Sequence, residues 1–155
     1  MDDSLRSVKY FAELDVAGQA LDYTTTSDAS VPICSFEFLS AISGFPGLTA
    51  FPVTIEGLRN LATSYHILHF WDEVDCVDEE KSNFEKFTFD DPVRPDLAGR
   101  YRAFFKLVID ARRAEDKHIF RIARSGVEVI VSDAVKSCLD DRGLRGLVFE
   151  PVECS

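Results

Sequence analysis

Hydrophobic and polar positions keep their clearest rhythm between His118 and Val152. Phe120 and Ile122 alternate with Ile119 and Arg121, Ser125-Gly126 supplies a turn, and Val127, Val129 and Val131 alternate with Glu128 and Ile130. That period of two on either side of a turn predicts an antiparallel hairpin. The period then lengthens. Val135, Cys138 and Leu139 share one helical face, Ser132 stands where an N-cap belongs, Asp133 sits in the first turn and Gly143 closes the run. Leu147–Val152 reads as a returning strand. If it joins the sheet of Val127–Val131, the intervening helix makes the two parallel with a right-handed crossover. The stretch 118–152 is thus expected to be a β-β-α-β module.

Upstream the pattern is less regular. Leu5–Leu14 is compatible with a strand ending at the Ala17-Gly18 turn, and the Thr/Ser/Asp-rich stretch Leu21–Ser30 reads as loop. Phe36, Phe38, Leu39 and Ile42 fall at helical spacing between a candidate cap, Ser35, and a stop at Gly44. Leu48–Ile55 alternates around Pro52, which marks an edge or bent strand. Tyr65–Val77 reads as a strand broken near Asp72-Glu73. Beyond Pro92 and Pro95, Arg102–Asp110 is apolar on both faces, as a central strand would be. The sum is an α+β fold: a mixed, largely antiparallel sheet with a few short helices. The 155 residues, 46% of them hydrophobic, suffice for one domain, or for one compact unit with a loosely packed N-terminal segment over 1–32.

Charge narrows the partners. A formal net charge of −10 disfavours nonspecific binding to nucleic acid or anionic membrane and suits a basic protein partner. The start Met1-Asp2-Asp3 is unlike a basic leader, and no apolar run reaches the roughly 18 residues of a membrane span, so a cytoplasmic location is expected. Cys34, Cys76, Cys138 and Cys154 lack metal-site spacing and read as reduced thiols, with Cys34 and Cys138 in the core. His66 and His69, three apart on one strand, point to opposite faces and cannot chelate one metal together; His118 stands alone. No cofactor, metal or catalytic residue is indicated. There is no glycine-rich phosphate loop and no nucleophile elbow. The Asp72–Asp78 run also lacks the glycine and distant glutamate of a calcium loop.

The charge is also unevenly placed. Between Asp72 and Asp91 nine acidic residues stand against Lys81 and Lys86; between Arg94 and Arg124 nine basic residues stand against four acidic ones. One reading pairs the two segments on the surface, where each exposed ion pair contributes about 0–1 kcal/mol. The other makes Asp72, Glu73, Asp75, Asp78, Glu79 and Glu80 a partner-binding acidic surface beside Trp71, the only tryptophan. A core position for Trp71 is the alternative to an anchor.

These residues carry a resemblance. Ile119-Phe120-Arg121-Ile122, Val129-Ile130-Val131-Ser132-Asp133, Gly143-Leu144-Arg145-Gly146-Leu147 and Phe149-Glu150-Pro151-Val152 resemble a family of bacterial immunity proteins, the one numbered eleven, formerly a domain of unknown function. Phe51-Pro52-Val53, Tyr65-His66-Ile67-Leu68 and Val77-Asp78-Glu79-Glu80-Lys81-Ser82 resemble its middle part, so the likeness runs from about Ile33 to Val152. Such proteins are encoded beside polymorphic toxins or secreted effectors. The resemblance implies a cytoplasmic α+β protein that binds and neutralises a cognate toxin, and it transfers no catalytic residue. The expected mechanism is occlusion of the toxin's active site by the acidic surface. A small carboxylate-based enzyme and a protein-binding adaptor without a toxin partner are the alternatives.

Overall fold

The computed structural model describes residues 9–13, 18–27, 29–56 and 64–155. Its strands are β1 (Tyr10–Glu13), β2 (Tyr23–Thr25), β3 (Pro32–Ser35), β4 (Leu48–Glu56), β5 (Tyr65–Phe70), β6 (Glu73–Val74), β7 (Asn83–Lys86), β8 (Tyr101–Lys106), β9 (Val108–Ile109), β10 (Ile119–Ile122), β11 (Val129–Val131) and β12 (Glu153–Cys154). Two helices, α1 (Phe36–Ile42) and α2 (Asp133–Asp140), accompany them. Five strands form one sheet in the order β1-β4-β5-β3-β2, and three form another in the order β11-β10-β6. The pairs β7–β8 and β9–β12 stand as two-stranded ribbons. Pairing is antiparallel at five contacts and parallel at three, β1–β4, β6–β10 and β9–β12. The architecture is α+β with a mixed, largely antiparallel arrangement.

Alternation decides which way the central strands face. Leu68 and Phe70 of β5, with Cys34 of β3, turn toward Phe38 and Ile42 of α1 and Val135 and Leu139 of α2. Ile67 and Tyr65 turn to the opposite face, with Ile33 and Val53. His66 and His69 accordingly lie on opposite faces of β5, as their odd spacing requires. Both helices start on a serine cap, Ser35 accepting from the Phe38 amide at 3.2 Å and Ser132 from the Val135 amide at 3.4 Å. With only seven and eight residues, neither helix is stable alone. Their buried side chains hold them to the sheet, at roughly 1.5–3 kcal/mol for each one fully buried.

The hairpin of the C-terminal stretch forms, with Ile119 opposite Val131 and Arg121 opposite Val129, but its connection is longer than the expected Ser125-Gly126 turn and Val127 stays outside the strand, exposed. The helix after it also forms as read. The final strand differs. Residues 147–152 are irregular, and the strand comes later, at Glu153–Cys154, where it runs parallel to β9 instead of β11. Gly146 accounts for this exit: its φ of +88° turns the chain so that the Arg145 carbonyl accepts from the Asp22 amide at 2.9 Å. That contact draws the chain against β2, away from the edge of β11.

Two other stretches depart from expectation. Leu21–Ser30 is not all loop, because Tyr23–Thr25 pairs with Pro32–Cys34 as an edge strand despite its polar composition. Arg102–Asp110 is no central strand. It splits at Leu107 into β8, paired with β7, and β9, paired with β12, and its outward Phe105 stays exposed. Pro52 falls just before the stretch Val53–Glu56 that pairs with β1, so the missing amide interrupts no parallel ladder there. The expected N-terminal strand appears as Tyr10–Glu13; Leu5–Val8, Leu14 and Ala17 lie outside the described residues. Cys34 is fully buried, Cys138 only partly, and all four cysteines are free thiols. Among the described residues no helix is long and apolar enough to cross a membrane.

Candidate functional site

The acidic segment leaves the end of β5 and crosses to the β7–β8 ribbon. Trp71 opens it. The Trp71 amide donates to the Gly47 carbonyl at 2.8 Å and its indole Nε1 donates to Thr49 Oγ1 at 2.6 Å, and the residue is 52% exposed. The tryptophan is therefore held in place without being a core residue. Asp72 pairs with Lys117 Nζ at 2.9 Å, while its carbonyl accepts from the Arg121 amide. Glu73 follows on β6 and is exposed.

Past the buried Cys76, the chain turns at Asp78–Lys81. Asp75 meets Arg124 at 2.8 Å, and Asp78 accepts from the Lys81 amide and pairs with its ammonium at 3.3 Å. Glu79 is the most heavily engaged: it accepts from Lys86 Nζ at 2.8 Å and from the Tyr101 hydroxyl at 2.5 Å, with Arg124 at 3.6 Å. The Tyr101 ring is buried and lies 5.0 Å from Lys86 Nζ and 5.2 Å from the Arg124 guanidinium carbon. A carboxylate and two cations thus converge on one phenol. The Lys86 and Tyr101 hydrogen bonds hold the Glu79 carboxyl below its ordinary range, and burial together with Glu79 pushes the Tyr101 hydroxyl up. Asp78 and Asp110 are likewise held low, chiefly by hydrogen bonds to Ser155 and Arg112.

The two oppositely charged segments therefore meet. Of the six carboxylates expected to face a partner, Asp72, Asp75, Asp78 and Glu79 have a cation of their own chain within 4 Å. Among the described residues, only Glu73 and Glu80 of the six have no ion pair. They occupy different places. Glu73 lines a groove of about 450 Å³ with Tyr10, Phe51, Ile67, His69 and Arg121, whereas Glu80 lines a charged pocket of about 440 Å³ with Asp110, Arg112, Arg113 and Arg124. The second pocket is lined by carboxylates held ionised beside cations, the reverse of what a general acid needs. Among the described residues, no group of three or more His, Cys, Asp or Glu is placed to hold a metal ion.

Sequence reading located the acidic segment but not its organising residue. Tyr101, Lys86 and Arg124 come from different elements, and nothing in their local pattern marks them as partners of Glu79. Charge opposition between the segments was the one available signal. No curated protein matches the chain. A family model does: that of the immunity protein family Imm11 matches residues 53–154, which spans the acidic segment, the β7–β8 ribbon and the C-terminal hairpin and helix. By that match, over well more than half of its length, the chain belongs to the Imm11 immunity protein family.

Proposed function

We propose that this immunity protein acts by binding a cognate toxin and covering the toxin's active site, with the surface built from Trp71, Asp72, Glu73, Asp75, Asp78, Glu79 and Glu80 as part of the contact. Membership of the immunity family is the observation that carries the reading. The half-exposed, hydrogen-bonded Trp71 supports it further, because an aromatic ring fixed at a surface loses little freedom on binding. The paired carboxylates are matched by cations of their own chain, so Glu73 and Glu80, which have no ion pair among the described residues, are the ones available to a partner's cations. The action is stoichiometric. No bond is made or broken on this chain, and it works in the cytoplasm, where the toxin would otherwise strike its own cell.

The partner is the toxin encoded beside this gene. Co-expression with that toxin should restore growth that the toxin alone arrests, and the two purified proteins should form a stable complex. Because Asp75 and Glu79 also hold Arg124, Lys86 and Tyr101, charge reversal at those positions disturbs the fold as well as the surface. Glu73→Lys with Glu80→Lys is the cleaner change. It should slow association several-fold at low salt and little at high salt. An association rate equal to that of the parent at low salt removes these two residues from the contact, and growth arrest despite co-expression rejects neutralisation itself.

A further inference from the structure

The ribbon β7–β8 ends in a fourteen-residue loop, 87–100, whose tip carries two solvent-facing apolar side chains. Phe89 is 90% exposed and Val93 77%. Single exposed hydrophobic residues are ordinary on a protein surface, but these two lie four positions apart on a loop that is internally fastened. The ladder continues past the strands, with the Phe87 amide donating to the Arg100 carbonyl at 3.0 Å and the Gly99 amide to the Phe87 carbonyl at 2.9 Å. Between the two exposed residues sits Asp91, which is buried. Its Oδ1 accepts from the Val93 and Arg94 amides at 3.0 and 2.8 Å, and its Oδ2 accepts from Arg102 at 3.1 Å. Arg102 in turn lies over the Phe87 ring at 5.4 Å. Pro92 and Pro95 further restrict the backbone, and Arg94 and Asp96 neutralise each other at 2.9 Å. Asp90, beside Phe89 at the tip, has no ion pair among the described residues.

A buried carboxylate thus fixes a loop whose large apolar side chains, Phe89 and Val93, are left uncovered among the described residues. The entropy of ordering the loop is settled before any partner arrives, as in preorganised inhibitor loops. We infer that the 87–100 loop is the plug of the contact: Phe89 and Val93 enter an apolar cleft of the toxin, and the Asp90 carboxylate meets a lysine or arginine at the edge of that cleft. This deepens the immunity reading and rests on it. It also extends the acidic surface, since Glu79 fastens the base of the same ribbon through Lys86 and Tyr101.

The test is a binding series between the purified toxin from the neighbouring gene and variants of the full chain, each checked by thermal unfolding. Phe89→Ala should weaken binding roughly thirty-fold or more, the scale of a hot-spot residue, with unfolding unchanged. Asp90→Asn should slow association at low salt alone. Asp91→Ala, which frees the loop, should weaken binding although Phe89 and Val93 remain, and Asp91→Asn, which keeps the acceptor for both amides, should restore most of it. Phe105→Ala, exposed on the same ribbon but away from the tip, serves as the control. Phe89→Ala binding within threefold of the parent overturns the plug while leaving the immunity reading intact. So does a parent protein that self-associates in solution and becomes monomeric on Phe89→Ala, because the tip would then serve a second copy of this chain. A parent protein that neither binds nor protects rejects both.

Discussion

At Tyr101 a hydroxyl, a carboxylate and two cations are brought together from β7, β8, the turn after β10 and the acidic segment. Removing the hydroxyl alone, in Tyr101→Phe, leaves the ring and both cations but takes one charged hydrogen bond from Glu79. The expected loss is about 1 kcal/mol, because Glu79 keeps Lys86 and partial contact with water. It should appear as a lower urea midpoint at unchanged m-value; an unchanged midpoint would mean that water replaces the phenol without cost. His66 makes a second prediction. Its Nδ1 is buried without a partner among the described residues, and burial holds its pKa below the ordinary 6.5. The unfolded chain then takes up a proton at a higher pH than the folded one. Stability should fall as pH drops from about 7 through 6.5 toward the lowered value, where the folded form protonates too. His66→Gln should flatten that slope in melting temperatures taken between pH 7.5 and 5.5, whereas an identical slope would assign the effect elsewhere.

Among the elements, the two helix caps look alike in sequence and differ in surroundings. Ser35 is fully buried and, besides capping α1, donates to Asp22 Oδ1 at 2.9 Å; Asp22 in turn accepts from the Arg145 amide at 2.9 Å. Ser132 caps α2 while partly exposed to water. Serine-to-alanine changes at caps cost roughly 0.5–2 kcal/mol. Ser35→Ala should lie at or above the top of that range and Ser132→Ala near the middle, and equal losses in urea unfolding would deny the buried relay through Asp22. Two glycines fix how the elements meet. A Cβ on Gly47, at φ +125°, would stand 2.6 Å from the Ile119 carbonyl oxygen, and one on Gly146 would collide with the Tyr23 carbonyl. Gly47→Ala and Gly146→Ala should each cost more than the roughly 1 kcal/mol of an unstrained glycine change, read as a drop in melting temperature. The first separates β4 from β10 and the second parts the C-terminal chain from β2.

For the whole molecule, an acidic chain of net charge −10 stays compact because its carboxylates are placed beside its fewer cations. Asp78, Glu79, Asp91, Asp96 and Asp110 are all held below their ordinary values, by hydrogen bonds first and by neighbouring cations second. A depressed folded pKa contributes stability that is complete above the ordinary carboxylate range and is lost as pH falls through the depressed values. The protein should therefore be flat in stability with respect to these groups near neutrality and unfold progressively below about pH 4. Acid titration followed by circular dichroism tests this, and a fold that persists unchanged to pH 2 would contradict it.

Much of the secondary structure was legible because it follows from local rules. The existence of the C-terminal hairpin, both serine caps and the opposed faces of His66 and His69 are each set by residues within a few positions of one another. Where the reading failed, distant residues decided. The polar Tyr23–Thr25 becomes a strand because β3 offers it a ladder. Leu147–Val152 gives up its expected place beside β11 because Gly146 turns the chain to Asp22, 123 residues away from Arg145 along the chain. The candidate site divides in the same way. By itself the sequence determined the composition of the acidic segment, its neighbour of opposite sign and the immunity family, all properties of contiguous residues. Only tertiary structure decided which carboxylates are spent on Lys86, Arg124 and Lys117, that Trp71 is half exposed, and that Asp91 is turned inward to the Val93 and Arg94 amides and Arg102. Coulomb and hydrogen-bond partners are chosen by distance in space, and a linear pattern does not encode that distance.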